Sequence, residues 1–343
     1  MSIAFTPFNL GSLRLKNRLV MAPMQQYRGT RESLATAYHE FHYGRCAEGG
    51  VGMIIVESTA VSPNGRLFKD DIGLFSDAHI APLRRVTDAV HAHGVPVLVQ
   101  LCHGGRKSNP PPGAELLAPS ALGFDCGLDC GLNPGADTGY GVPRAMDGAD
   151  IAHAIDEFGA AARRAVQAGF DGIELHAAHG YLLHQFLSPL SNRREDAYGG
   201  SAAGRVRFLL EVLAAIRAAV GPAYPVTIRV SASDYVEGGL NPEALAGALN
   251  LLLPLGLVAV HVSSGGLLPV APAQVYPGYQ LPYARSIRQA VPLPVIAVGG
   301  LHRRSLIEKA LAEGNADLIA IGRPILERPD FMTDKLASVQ FED

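Results

Sequence analysis

The chain is predicted to fold as a (β/α)8 barrel, and three features of the sequence support this. Eight short apolar runs, rich in Val and Ile and bounded by Gly or Pro, recur along the 343 residues. Amphipathic helical patterns separate them, as a parallel sheet with crossover helices requires. Polar residues that are costly to bury stand at the C-terminal ends of these runs, where such barrels carry their sites. The runner-up is a doubly wound open sheet. No GxGxxG follows an early strand, so its dinucleotide fingerprint is missing.

In chain order the runs are "RLVMAP" (18–23), "GMIIVES" (52–58), "PVLVQL" (96–101), "GIELHA" (172–177), "PVTIRVS" (225–231), "AVHVSS" (259–264), "PVIAVGG" (294–300) and "DLIAIGR" (317–323). A helix is expected over 150–169: Ile151, Ala154, Ile155, Phe158, Ala161, Ala162, Ala165 and Val166 follow the i, i+3, i+4, i+7 spacing of one buried face. Asp150 is its expected N-cap and Gly169 its stop. A similar helix runs through 304–314. Residues 103–149 are too long and too rich in Gly and Pro for an ordinary barrel loop and are read as a capping excursion. The whole of 1–343 is expected to be one barrel domain.

Composition narrows the function. Hydrophobic residues make up 48% of the chain and charged residues 18%, with a net charge of −3. No basic tract appears, so neither nucleic acid nor a membrane surface is an expected partner. The four cysteines, Cys46, Cys102, Cys126 and Cys130, are too few for a disulfide framework. The last two form a CxxxC with no second pair nearby, so zinc is not expected. The N-terminus shows no signal peptide and no run of 18 apolar residues occurs, so the expected location is the cytoplasm.

Strand alternation selects the site candidates. In "PVTIRVS", Val226, Ile228 and Val230 share the face that meets helices, while Thr227, Arg229 and Ser231 point inward. Glu174 and His176 point inward from "GIELHA", and Gln100 shares parity with Leu98. An inward arginine needs a partner. One reading pairs Arg229 with Glu174; another gives it a ligand. Gln100 reads either as a satisfied core amide or as a ligand contact. His176 and His179 read as strand-end histidines, as substrate ligands, or as a metal pair whose remaining ligands are not evident. "AVGG" and "IGRP" end the seventh and eighth runs, where barrels often bind phosphate. There Gly299 and Gly300 allow close backbone approach, Arg323 supplies charge, and "SSGG" (263–266) fits the same bay.

Over nearly its whole length the chain resembles the old yellow enzyme family of FMN-dependent ene-reductases. The resemblance is carried by "HAAHGYLLHQFLSPLSNRREDAYGGS" (176–201), "LKNRLVMAPM", "YGRCAEGGVGMIIVEST", "VQLCHGGRK", "IRVSASDY", "VSSGG", "YPGYQ" (276–280) and "ADLIAIGRP". The wording of "HGGRK" and "SASDY" is most similar to the thermophilic-type, or xenobiotic-reductase, branch. The resemblance implies tightly bound FMN, with NADPH or NADH as hydride donor and a small activated alkene as substrate. It also implies a ping-pong transfer through flavin N5. Pro23, Met24, Gln25 and Ser58 would lie by the flavin ring, Gln100 at its pyrimidine end, and Arg229 near N1 and the C2 carbonyl. Ser264, Gly299, Gly300, Gly322 and Arg323 would hold the phosphate. His176 and His179 would donate to a substrate carbonyl or nitro oxygen, Tyr27 would face the substrate, and Tyr181 would protonate its α-carbon. A homo-oligomer, dimer or tetramer, is expected.

The chain departs from the family pattern at three places. Gln25 stands where many members have Cys or Thr. The tail reads "QFED" instead of an arginine-bearing "YERG"-like end that reaches a neighbouring subunit. The Gly-rich segment 123–143 is enlarged. Two rival enzymes remain: a flavin dehydrogenase running the same site in reverse, and a flavin-free phosphate-binding barrel such as an aldolase. The second needs a Schiff-base lysine, and none of the eight runs contains one. A flavin-binding protein without turnover is a third alternative.

Overall fold

The computed structural model describes residues 2–124 and 140–333. All eight apolar runs form strands: β1 (Leu19–Met21), β2 (Met53–Ala60), β3 (Val97–Cys102), β4 (Gly172–Ala177), β5 (Val226–Ser231), β6 (Ala259–Ser263), β7 (Val295–Ala297) and β8 (Leu318–Ile321). They pair in parallel in sequence order, and β8 returns to β1, which closes the barrel. Every residue of these eight strands is buried, as expected where helices cover the outside and side chains fill the inside.

The alternation of faces holds. Leu98, Ile55, Val20, Ile296 and Leu318 pack together inside the barrel. Ile173, Leu175, Val226, Ile228 and Val230 join the larger core under the helices. A hairpin of Phe8–Leu10 and Leu13–Leu15 buries Leu10 and Leu15 against Val20 and Met53 of the inner cluster. It thus plugs the N-terminal end of the barrel and leaves the C-terminal end for chemistry.

The helix expected from residue 150 begins earlier, spanning Gly148–Gln167. Its N-cap is Asp147, whose carboxylate accepts from the backbone N–H of Ala149 and Asp150 at 2.8 and 2.9 Å. Asp150 instead accepts from the Asp147 N–H at 2.8 Å, so the two acids form a reciprocal cap. Gly169 follows the helix at φ +83°, as its stop role requires. Val166, placed on the buried face by spacing, is exposed. The second helix spans Arg304–Ala312.

After β3 the chain makes a single turn, Gly105–Lys107, and then a two-stranded ribbon, Leu117–Ala118 beside Arg144–Ala145. The buried Arg106 donates to Gly123 O at 3.0 Å and Leu267 O at 2.7 Å, tying this excursion to the loop beyond β6. Cys126, Cys130, most of the Gly-rich segment and the "QFED" tail lie outside the described residues. Among the described residues no helix is long and apolar enough to cross a membrane.

Candidate active site

Strand ends at the C-terminal mouth surround a cavity of about 670 Å³. Nine residues singled out from the sequence line it: Pro23, Met24, His179, Arg229, Ser264, Gly299, Gly300, Gly322 and Arg323. Gly299 and Gly300 adopt φ +111° and +68°. A Cβ on Gly299 would come within 2.6 Å of the Gln280 amide, and one on Gly300 within 3.0 Å of Pro277 Cα. The "YPGYQ" segment therefore packs against this loop, and only glycine satisfies both the backbone and the space. The Ser264 hydroxyl accepts from Tyr235 Oη at 2.7 Å.

Inside the barrel, Arg229 and Glu174 form no ion pair. Glu174 accepts from Gln100 Nε2 at 2.8 Å and from His261 Nδ1 at 2.9 Å. Gln100 Oε1 accepts in turn from Ser58 Oγ at 2.6 Å. A polar chain, Ser58–Gln100–Glu174–His261, thus crosses β2, β3, β4 and β6. Ser58 stands just after a register shift between β2 and β3, a local device that re-aims side chains near sites. Arg229 is 8% exposed, and its Nε has no hydrogen-bond partner. A buried cation left in that condition is costly unless a ligand completes it. Burial lowers its pKa, opposed by the field of Glu174.

The rings of His176, His179 and Tyr181 cluster at the end of β4. His176 sits edge-on to His179 at 5.1 Å and to Tyr181 at 4.9 Å between centroids. The loop that brings them together is unusual. His179 takes φ +58°, a left-handed conformation, and its N–H donates to Ser231 Oγ at 3.0 Å. Its Nε2 lies 2.8 Å from Ser263 Oγ. The His176 Nδ1 accepts from the Ala178 N–H at 3.4 Å, which leaves Nε2 as the protonated nitrogen. Burial and the nearby Arg229 hold both imidazoles well below their usual pKa, so they are neutral donors at pH 7. Burial pushes the Tyr181 phenol upward, so it keeps its proton. Among the described residues no group of three His, Cys, Asp or Glu side chains is arranged to hold a metal.

Gln25 and Tyr27 lie on the loop after β1. The Gln25 Nε2 donates to Asp71 Oδ1 at 2.5 Å, so this amide proton is engaged by the protein itself. Tyr27, half exposed at φ +55°, meets the Phe68 ring edge-on at 4.9 Å. Asp71 accepts from the N–H of Leu67 and Phe68 at 2.6 and 3.0 Å, and burial pushes its carboxyl up to about 7.

Sequence reasoning missed Asp71, His261 and Lys107. The alternation in "AVHVS" places His261 inward with Ser263, so a signal for it was present. Asp71 and Lys107 lie in loops, where no period marks a side chain's direction. The Lys107 Nζ donates to His179 O at 2.9 Å and Gly266 O at 3.0 Å.

The residues present fit FMN: an uncompensated Arg229 Nε suits an acceptor on the flavin, and a glycine-lined bay with Arg323 suits a phosphate. The profile of the NADH:flavin oxidoreductase / NADH oxidase family matches residues 4–339. An NADPH dehydrogenase of Geobacillus thermodenitrificans (strain NG80-2) is 42% identical over 329 residues, 96% of this chain and 92% of that protein. Morphinone reductase superposes with a TM-score of 0.83 at 34% identity, covering 99% of this chain and 91% of that one. A 2-naphthoyl-CoA reductase superposes at 0.89 with 26% identity, covering 98% of this chain and 52% of that one, so this chain spans about half of that larger protein.

The chain belongs to the NADH:flavin oxidoreductase / NADH oxidase family, that of the old yellow enzymes. It is an FMN-dependent oxidoreductase with a nicotinamide hydride donor, and the flavin-free barrel is set aside.

Proposed function

We propose that the protein is an ene-reductase, reducing the activated C=C bond of α,β-unsaturated carbonyl or nitro compounds at the expense of NADPH or NADH in alternating half-reactions. The observation that carries this reading is the His176–His179–Tyr181 cluster, whose His179 lines the same cavity as Arg229. FMN, when bound, would supply two-electron hydride-carrier chemistry between the nicotinamide donor and the alkene.

The protein's own residues do the rest. Neutral His176 and His179 donate hydrogen bonds to the substrate's carbonyl or nitro oxygen. Negative charge grows on that oxygen as hydride arrives, so the donors favour the transition state over the ground state. Being neutral, they orient the oxygen without protonating it. Tyr181 gives the proton from Oη to the α-carbon. Pro23 and Met24 would pack beside the flavin ring, with Gln25 next to them held by Asp71. Ser58 and Gln100 would meet the ring edge, and Arg229 would hold its electron-rich end. Ser264, Gly299, Gly300, Gly322 and Arg323 would grip the phosphate. Tyr27 and the parts of the excursion at 103–124 and 140–149 shape the substrate entrance.

Anaerobic stopped-flow with the holoenzyme tests this. Flavin pre-reduced with NADPH should be reoxidised by 2-cyclohexenone with formation of the saturated ketone. No reoxidation by any enone or nitroalkene would overturn the reading. Flavin bleaching by the saturated ketone alone would favour the reverse, desaturating enzyme.

A further inference from the structure

We propose that Lys107 is a positioning residue of the alkene-reducing half-reaction: its ammonium ties the carbonyls of His179 and Gly266 together and faces the Tyr181 ring, holding the proton donor in place and stabilising the phenolate it leaves behind. The proposal rests on Tyr181 being the proton donor.

Lys107 is partly buried, yet it makes no ion pair among the described residues. Its Nζ donates to His179 O at 2.9 Å and Gly266 O at 3.0 Å. These two carbonyls belong to the loops after β4 and β6. Both loops are in left-handed backbone at this point, with φ +58° at His179 and +85° at Gly266. They also press on each other: a Cβ on Gly266 would stand 2.7 Å from His179 Cα. One ammonium therefore clamps two touching loops on the same side of the barrel mouth, one of them carrying His179 in a strained left-handed conformation. The same Nζ lies 5.0 Å from the centroid of the Tyr181 ring and 4.6 Å from that of Phe124.

The chemistry needs a cation there. When the electron-rich α-carbon takes the Tyr181 proton, the O–H bond breaks, a C–H bond forms, and the phenolate keeps the electron pair until water reprotonates it. Burial makes that phenolate costly, and an adjacent ammonium lowers the cost. The two carbonyl bonds keep the ammonium beside the ring in place of a solvated surface position.

Burial, with Arg106 adding to it, brings the Lys107 pKa down to about 8. The groups facing it are Arg106 on its own turn, Cys102 at the end of β3, and His176, His179 and Tyr181 after β4. The imidazoles are held neutral by their lowered pKa, and the thiol and phenol by their raised ones. Asp71, whose field reaches Tyr181, changes charge near 7. Lys107 is thus the facing group that changes charge near 8. Above that value the clamp and the field weaken together.

The test compares wild type, Lys107→Met, Lys107→Arg, Tyr181→Phe and the double variant Lys107→Met/Tyr181→Phe as FMN holoenzymes. Lys107→Met should slow reoxidation by 2-cyclohexenone roughly tenfold or more, within the range for general-acid support. It should leave reduction by NADPH within about twofold. Lys107→Arg, which keeps the charge, should recover most of the rate. The wild-type reoxidation rate should fall as pH rises through about 8, and this inflection should vanish in both lysine variants. In the Tyr181→Phe background the Met substitution should have little further effect. An equal loss in both backgrounds would show that Lys107 does not act through Tyr181 and would overturn the proposal. So would an inflection near 8 that persists in the Met variant. If Tyr181→Phe alone leaves reoxidation intact, the proton-donor assignment fails first. If the Met variant does not load FMN, the wild-type and Arg pH profiles decide: an inflection shared by both overturns the proposal.

Discussion

Arg229 and Glu174 both point into the barrel interior, on neighbouring strands, without pairing. The carboxylate is committed to Gln100 at 2.8 Å and His261 at 2.9 Å, and the Arg229 Nε is left without a partner. The protein thus keeps an acid at the base of the site in a fixed orientation and reserves its buried cation for something that enters the cavity. The field of Glu174 helps Arg229 stay charged without a direct bond. Arg229 is therefore not half of a structural ion pair, which is what the proposed flavin contact requires.

Replacing Arg229 by Met should therefore weaken FMN retention without unfolding the barrel. A hydrogen bond to a charged group contributes about 1.5–3 kcal/mol, which corresponds to roughly 10–150-fold in the dissociation constant. Equilibrium titration of apoprotein with FMN, followed by flavin fluorescence, measures it. Unchanged affinity would return Arg229 to a structural role.

Tyr181→Phe should leave reduction by NADPH nearly intact and slow reoxidation by an enone about 10²–10⁴-fold, the usual contribution of a general acid. Single-turnover traces of the two half-reactions separate the effects. A reductive rate that falls as far as the oxidative one would remove the phenol as proton donor.

Phenols that mimic the substrate enolate should bind the oxidised holoenzyme through His176 and His179 and perturb the flavin spectrum. His176→Ala and His179→Ala should each weaken such a ligand by about 1.5–3 kcal/mol. His179→Ala also frees the Ser263 hydroxyl, which lies 2.8 Å from its Nε2, so part of its effect will reflect a disturbed loop. Identical titration midpoints in wild type and both variants would place the pair outside the substrate site.

Asp71 gives a stability prediction with a definite sign. Its folded pKa is raised from 3.8 to about 7, so the folded state holds this proton more tightly than the unfolded chain does. The stabilising contribution is complete below the unfolded pKa and is lost as pH rises through about 7. Asp71→Asn cannot ionise. The melting temperature of the variant relative to wild type should therefore rise between pH 5 and pH 8. Glu157, also raised to about 7, contributes a parallel slope that the substitution leaves in place. A pH-independent difference between the two proteins would mean that Asp71 ionises normally. Adding Gln25→Ala to the wild type removes a donor to the carboxylate, so the same transition should move to higher pH.

The barrel was legible in the sequence because burial on both faces of a parallel strand leaves a dense apolar run, and eight such runs survive as eight strands at nearly the expected limits. Alternation likewise put Arg229, Glu174 and Gln100 inside, since a period of two is a property of the backbone and needs no partner to be read. Which of these inward groups pair was decided only by the closed barrel. Strand register set Arg229 opposite His176 and His261, and the geometry of closure gave Glu174 to Gln100 and His261. Gln100 and the Glu174 pairing were therefore visible as alternatives, and packing chose between them. The loops carried least information. Nothing periodic announces that Gln25 reaches Asp71, 46 positions away, or that Lys107 clamps His179 and Gly266. The start of the helix at Gly148 was misplaced for a related reason: two acids three residues apart cap each other, and sequence alone does not say which is first. Local patterns determined the elements and their faces, because they follow from backbone geometry. The contacts that make the site were decided by distances between residues far apart in the chain, and those exist only after folding.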